Sequence, residues 1–221
     1  MRRFDTVIFD LDGTLLDTIE DLRTAVAYAF GISEEEFSRE QTLAGINFGV
    51  DHLIKSAAEA IGAKDYDHQG ARQRFSDKYD ICYADKTAPF EGITELLEKL
   101  KNDGYKIGVF SNKLDFFVKQ LCDCKFDKGL IDCARGECKG VPVKPDPAGA
   151  YLMMDSLGVT DKTKIAYVGD SNVDVLTAKN AGFYCIGVAW GYRPPELLES
   201  VGADIIAHDA KELYDIITEE K

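Results

Sequence analysis

Val7-Ile8-Phe9 is a short apolar run of β-forming residues, and it stops on Asp10-Leu11-Asp12-Gly13-Thr14. Such a run reads as a buried strand, and the glycine behind it frees the backbone for a sharp turn. Two carboxylates therefore stand where a strand opens into a loop. In open α/β sheets that is where ligands bind. The pattern also has a plainer reading, a strand that has simply reached water. A calcium loop begins with acids at its first and third positions too, but Gly13 comes two residues early. Leu15 then stands where that loop needs its turning glycine.

The rest of the chain decides how this strand is used. Thr18 with Asp21 approximates a capping box, and Leu22, Val26 and Phe30 follow at helical spacing to Gly31. Ser33 opens a short helix, and Thr42 to Gly49 reads as a loop with two glycines. Val50 to Ile61 is amphipathic, and a longer helix runs from about Asp65 to Tyr83, with Phe75, Tyr79 and Tyr83 as its buried stripe. An all-helical block after a single strand suggests an insertion.

Pro89 and Gly92 flank the return. From there strands alternate with helices: Lys106–Phe110, about Leu130–Ala134, Lys164–Val168, Tyr184–Ala189 and Asp204–Ala207. The helices between them are Ile93–Leu100, Leu114–Cys122, Ala148–Leu157 and Asn172–Ala181, with Asp209–Ile217 last. This alternation predicts an α/β class, a parallel sheet with helices on both faces. The expected division is a core of residues 1–15 and 86–221 and an inserted helical domain of residues 16–85.

Composition enters as a filter. With 39 acidic and 26 basic residues the net charge is −13, which argues against nucleic acid or an anionic membrane as partner. No apolar stretch reaches the length of a membrane span. Arg2 and Arg3 resemble the start of a signal peptide, but Asp5, Asp10 and Asp12 break its apolar segment, so a cytoplasmic location is expected. The six cysteines are then expected as free thiols. Four of them, Cys122, Cys124, Cys133 and Cys138, fall close together and leave a zinc site open as the less favoured reading, because their spacing is not that of a common zinc ribbon.

Three strands of the sheet end in polar groups: Asp10 and Asp12, Ser111 and Asn112, and Asp170 followed by Asp174. Parallel strands deliver their carboxyl ends to one edge, where these groups can converge. Lys144 stands in Val-Lys-Pro-Asp-Pro, a loop stiffened by its prolines. Packed carboxylates repel, which favours a divalent cation or a shared proton, and oxygen-only ligands favour Mg²⁺. Each part has a bland reading: Ser111 and Asn112 as a helix cap, Lys144 as a solvated lysine, Asp174 as a first-turn acid on a helix dipole. Their order at successive strand ends favours a site.

These segments resemble the four motifs of the haloacid dehalogenase superfamily, in its phosphoglycolate-phosphatase-like branch. Phe9-Asp10-Leu11-Asp12-Gly13-Thr14 is similar to the first motif and Phe110-Ser111-Asn112-Lys113 to the second. Val143-Lys144-Pro145-Asp146-Pro147 is similar to the third, and Val168 to Asp174 to the fourth. The resemblance implies a Rossmann-like core, an all-helical cap inserted after the first strand, and a Mg²⁺-dependent phosphatase acting on a small phosphorylated metabolite. It implies Asp10 as nucleophile, Asp12 as general acid and base, and Ser111 and Lys144 as phosphoryl-stabilising residues. Asp10, Asp12 (through its carbonyl), Asp170 and Asp174 are the implied metal ligands. Crowding by other carboxylates would help keep Asp12 protonated. Asn112, Gly45 and Asn47 are the expected substrate contacts, with Gly45 to Gly49 as the substrate-facing loop. Thr14 is expected to shape the loop, and the chain to be a monomer or homodimer. A sugar phosphomutase or pyrophosphatase on the same scaffold stays open, as does, more remotely, a non-catalytic binding protein.

Overall fold

The structure, a computed structural model, describes residues 2–46 and 49–220. The chain divides into two compact units, one formed by residues 1–16 and 89–221 and the other by residues 17–88. Its strands in chain order are β1 (Thr6–Phe9), β2 (Leu16–Asp17), β3 (Ala88–Pro89), β4 (Lys106–Leu114), β5 (Cys133–Glu137), β6 (Ile165–Gly169), β7 (Tyr184–Val188) and β8 (Ile205–Ala207). The two-residue strands β2 and β3 lie where the chain passes between the units.

The larger unit holds a six-stranded sheet of order β5-β4-β1-β6-β7-β8, parallel in every described pairing. Side chains alternate across a strand, and here both sets are buried. Ile8 and Tyr167 point to the face packed by Met153, Val175 and Leu198, while Val7, Phe9, Val109 and Val168 point to the other and are equally enclosed. This is why the strands read as unbroken apolar runs. Ile93, Leu96, Leu97 and Leu100 form the buried stripe of helix Ile93–Asn102. Register sets the edge that matters. Phe9 pairs with Val109 on one side and Val168 on the other, so the residues that follow all three strands emerge together.

The boundaries differ from the expectations in instructive places. β4 continues through Ser111-Asn112-Lys113 to Leu114, with a register shift after Phe110. Between β7 and β8, where no helix is expected above, Pro195–Val201 is a helix, since Pro195 at its first position gives up no needed N–H.

The smaller unit is helical: Ile19–Phe30, a 3-10 turn Glu34–Glu36, Arg39–Gly45, Val50–Ala60 and His68–Cys82. Residues 42–45 are helical, not loop, because Ser38 and Gln41 form a reciprocal capping box that starts a helix ahead of them. The capping box expected of Thr18 and Asp21 does not form. Asp21 turns inward instead and accepts from the backbone N–H groups of Lys86 and Thr87 and from the Thr87 hydroxyl, at 2.7–3.1 Å. Phe75 and Tyr79 are buried as expected, but Cys82 rather than Tyr83 completes the stripe.

Candidate active site

The site is built at the ends of β1, β4 and β6. After Phe9 the chain turns tightly, with the Leu11 carbonyl accepting from the N–H groups of Thr14, Leu15 and Leu16. Gly13 has φ +84°, and a Cβ there would collide with the Asp170 carboxylate. Gly169 makes the same room for Asp174, and Gly191 for Asp170. Three glycines thus let two acidic side chains pack against backbone.

Asp10, Asp170 and Asp174 are buried, and one carboxylate oxygen of each lies within 4.8 Å of the others. Lys144 is buried among them, its Nζ 2.9 Å from Asp10 Oδ1 and 2.6 Å from Asp174 Oδ1. Its contact with Asp10 is an ion pair lacking hydrogen-bond geometry, so Asp10 Oδ1 is left as a buried oxygen with no donor. Asp174 is held rigidly: Oδ1 also accepts from the Tyr167 hydroxyl, and Oδ2 from the Ser171 N–H and hydroxyl. Asp170 accepts from the Thr14 hydroxyl at 3.3 Å and the Tyr192 N–H at 2.7 Å.

Burial, and next the charge of Asp174, push the Asp10 carboxyl up to about 7. Burial followed by Asp174 and Asp10 likewise raises Asp170 well above the carboxylate range. Burial opposes the charge of Lys144, but Asp10 and Asp174 outweigh it and hold the ammonium well above its ordinary value. The cluster is therefore short of positive charge. Four carboxylates (Asp10, Asp12, Asp170, Asp174) face two ammonium groups (Lys144, Lys113), a deficit of two that one divalent cation would cancel. The all-oxygen donor set and the orphaned Asp10 oxygen suit such an ion.

Asn112 clasps the lysine loop. Its side chain accepts from the Lys144 N–H at 2.8 Å and donates to the Lys144 carbonyl at 3.1 Å. The Lys144–Pro145 bond in that loop is cis. Ser111, just ahead of Asn112 in β4, is buried. The expected residues Asp10, Asp12, Ser111, Asn112, Lys144, Asp170 and Asp174 all belong to the larger unit. Gly45 belongs to the helical unit, where it is the last residue of its helix. A Cβ there would crowd Leu53, so it is a packing glycine in that unit. Asn47 lies outside the described residues.

Several neighbours of the site escaped the sequence reading. Tyr167 lies in β6, every residue of which is buried, so alternation does not single it out. Tyr192 acts through its backbone and left no signal. Lys113 stands inside a recognised motif, yet it donates to both Asp12 oxygens, at 2.9 and 3.1 Å. The close charged partner of Asp12 is thus a cation, and crowding by acids alone does not describe its surroundings. All six cysteines are free, and among the described residues the Asp10–Asp170–Asp174 group is the one set of His, Cys, Asp or Glu side chains close enough to hold a metal. Burial lifts the Cys122 thiol to about 12, against a thiolate ligand there.

A parallel sheet with two acids behind its first strand and a lysine and further acids at adjacent strand ends defines a hydrolase-type α/β site. The profile of the family described as haloacid dehalogenase-like hydrolase matches residues 7–188, and the chain belongs to that family. It is 33% identical over 208 residues to a phosphoglycolate phosphatase of Caulobacter vibrioides, covering 92% of this chain and 86% of the relative. It is 29% identical to an N-acetylmuramic acid 6-phosphate phosphatase of Pseudomonas aeruginosa, covering 97% and 95%. A crystal structure from Lactobacillus delbrueckii subsp. bulgaricus, assigned as a phosphoglycolate phosphatase, superposes with a TM-score of 0.87 at 32% identity over the full length of both chains. Among the described residues no helix is long and apolar enough to cross a membrane.

Proposed function

We propose that the protein is a divalent-metal-dependent phosphatase that hydrolyses a small phosphate monoester through an aspartyl-phosphate on Asp10. The observation that carries this reading is the Asp10 carboxylate itself. It is buried beside Asp170 and Asp174, and its Oδ1 is held only by the Lys144 ion pair at 2.9 Å.

In this reading Asp10 attacks the phosphorus and the ester P–O bond breaks. Asp12 gives its proton to the leaving alcohol, then takes one from the water that attacks the phosphoenzyme, which frees phosphate and restores Asp10. Lys144 keeps a fixed positive charge beside the nucleophile, and the Ser111 hydroxyl binds a phosphoryl oxygen. Asn112 serves by holding the Lys144 backbone. Asp10, Asp170, Asp174 and the Asp12 carbonyl would hold Mg²⁺, which when bound offsets repulsion between carboxylate and phosphate. The helical unit serves as a cap that excludes water during turnover.

The names of the relatives support two ester classes, a small 2-carbon acid and an amino-sugar acid. The test is phosphate release from 2-phosphoglycolate, N-acetylmuramic acid 6-phosphate and several sugar phosphates, with Mg²⁺ and with chelator. Mg²⁺-dependent release from one ester is expected. Release unaffected by chelator would remove the metal from the proposal, and no release from any ester would defeat it.

A further inference from the structure

Lys113 is anchored from three directions. Its N–H donates to the Ser111 hydroxyl at 3.3 Å, and its carbonyl lies so close to Gly136 that a Cβ there would collide with it. Its ammonium reaches both oxygens of Asp12, with side-chain exposures of 8% for Lys113 and 16% for Asp12. The register shift in β4 after Phe110 falls just ahead of it, and such irregularities re-aim side chains. Lysine is a long, flexible point charge. Holding one this deep, at both ends, is informative, because most lysines of this length would stay in water.

Its partner is also informative. Lys144 already serves Asp10 and Asp174, and Lys113, its side chain largely enclosed, is a second ammonium at the site, paired with Asp12, which Lys144 does not contact in the described ion pairs. A carboxylate on a tight turn has two soft torsions, and a proton transfer tolerates little misplacement. We propose that Lys113 is a positioning residue for the leaving-group step: it holds the Asp12 carboxylate at the orientation from which Asp12 serves the ester oxygen. This rests on the phosphatase reading above.

A residue that acts through Asp12 leaves a signature that a merely structural residue does not. Nitrophenolate departs without a proton, whereas an alkoxide needs one. Lys113→Met should therefore lower kcat/KM, which reports the steps up to release of the alcohol and leaves out hydrolysis of the phosphoenzyme, on an alkyl ester by roughly 10²-fold, the scale of a misplaced catalytic group. On p-nitrophenyl phosphate the loss should be at least about tenfold smaller. Lys113→Arg, which keeps the charge, should recover part of the alkyl activity and covers the case in which Met disturbs folding. In the Asp12→Asn background, Lys113→Met should add little further loss, since two residues acting as one unit are not additive.

The measurement is kcat and KM with Mg²⁺ for wild type, the two Lys113 variants, Asp12→Asn and the double variant. The alkyl ester is whichever of 2-phosphoglycolate and N-acetylmuramic acid 6-phosphate the wild type hydrolyses, and the aryl ester is p-nitrophenyl phosphate. Equal losses on both esters, no loss on either, or additive losses in the double variant would each overturn the proposal while leaving the phosphatase intact. Wild-type protein inactive on all three esters would defeat the phosphatase reading and this inference with it.

Discussion

Two buried aspartates, one in each unit, are handled in opposite ways. Asp21, in the helical unit, is saturated: both oxygens accept from the Lys86 N–H, and one also takes the Thr87 N–H and hydroxyl. Asp10, in the α/β unit, has two further acids close by, and its Oδ1 is held only by the Lys144 ion pair, which lacks hydrogen-bond geometry. Burial of a charge is tolerable when every lone pair is engaged and unfavourable when it is not. Asp21 ties the first helix of its unit to the segment that ends it. Asp10 is kept in an unfavourable state that an incoming cation and substrate would relieve. The contrast separates a carboxylate that stabilises from one that is poised to react.

Breaking each acid in turn tests that contrast. The largest effect should come from Asp10→Asn, which removes the nucleophile and one site charge. Turnover should fall by about 10⁴-fold or more while the unfolding midpoint is unchanged or raised. Substantial residual activity would assign the nucleophile elsewhere. Asp12→Asn should cost roughly 10²–10⁴-fold on alkyl esters, the range of general acid–base catalysis, with folding intact. A harmless substitution there would require a different proton donor.

Asp21→Ala should show the reverse pattern. It takes the acceptor from the Lys86 N–H and from the buried Thr87 N–H and hydroxyl, and should lower stability by on the order of 3 kcal/mol, about 6–12 °C in midpoint for a chain of this size. Activity per folded molecule should be retained near room temperature. If Asp21→Ala proved as silent in thermal melts as Asp10→Asn, the comparison would fail.

A further effect is electrostatic. A folded-state value for Asp10 of about 7 lies above the unfolded value of 3.8. The folded protein then holds a proton that the unfolded chain releases. Metal-free protein should therefore lose stability as pH rises from about 4 to about 7, and the loss should be shallower in Asp10→Asn. Mg²⁺ should stabilise most at the upper end of that window, where the carboxylate is ionised. Thermal melts of the chelated protein and of Asp10→Asn across this range, repeated with Mg²⁺, would read it. Parallel slopes in the two proteins would mean that other groups carry the dependence.

Much of this architecture follows from short-range pattern. Val7-Ile8-Phe9 before Asp10, and Ile165 to Val168 before Asp170, are strands because both of their faces must be apolar, and residue order alone reveals that. The parallel sheet follows from alternation, and a parallel sheet necessarily brings its strand ends to one edge. The placement of Asp10, Ser111 and Asp170 near one edge was legible for this reason, whereas Lys144, in the loop after β5, was singled out by its Pro-flanked motif. The four motifs pointed in the same direction, and the family match bears out the superfamily they resemble.

Tertiary structure decided what each side chain does with its hydrogen bonds. Asp21 looked like a cap partner for Thr18, yet a loop 65 residues away supplies better donors and draws it inward. Residues 42–45 are helical because Ser38 and Gln41, ahead of them, cap each other and begin the turn. Asn112 is engaged by the Lys144 backbone, and Lys113 by an acid 101 residues away. Sequence pattern registers how often a residue type recurs along the chain. It carries no record of which distant donor comes within 3 Å, and the function of a buried charge depends on that donor.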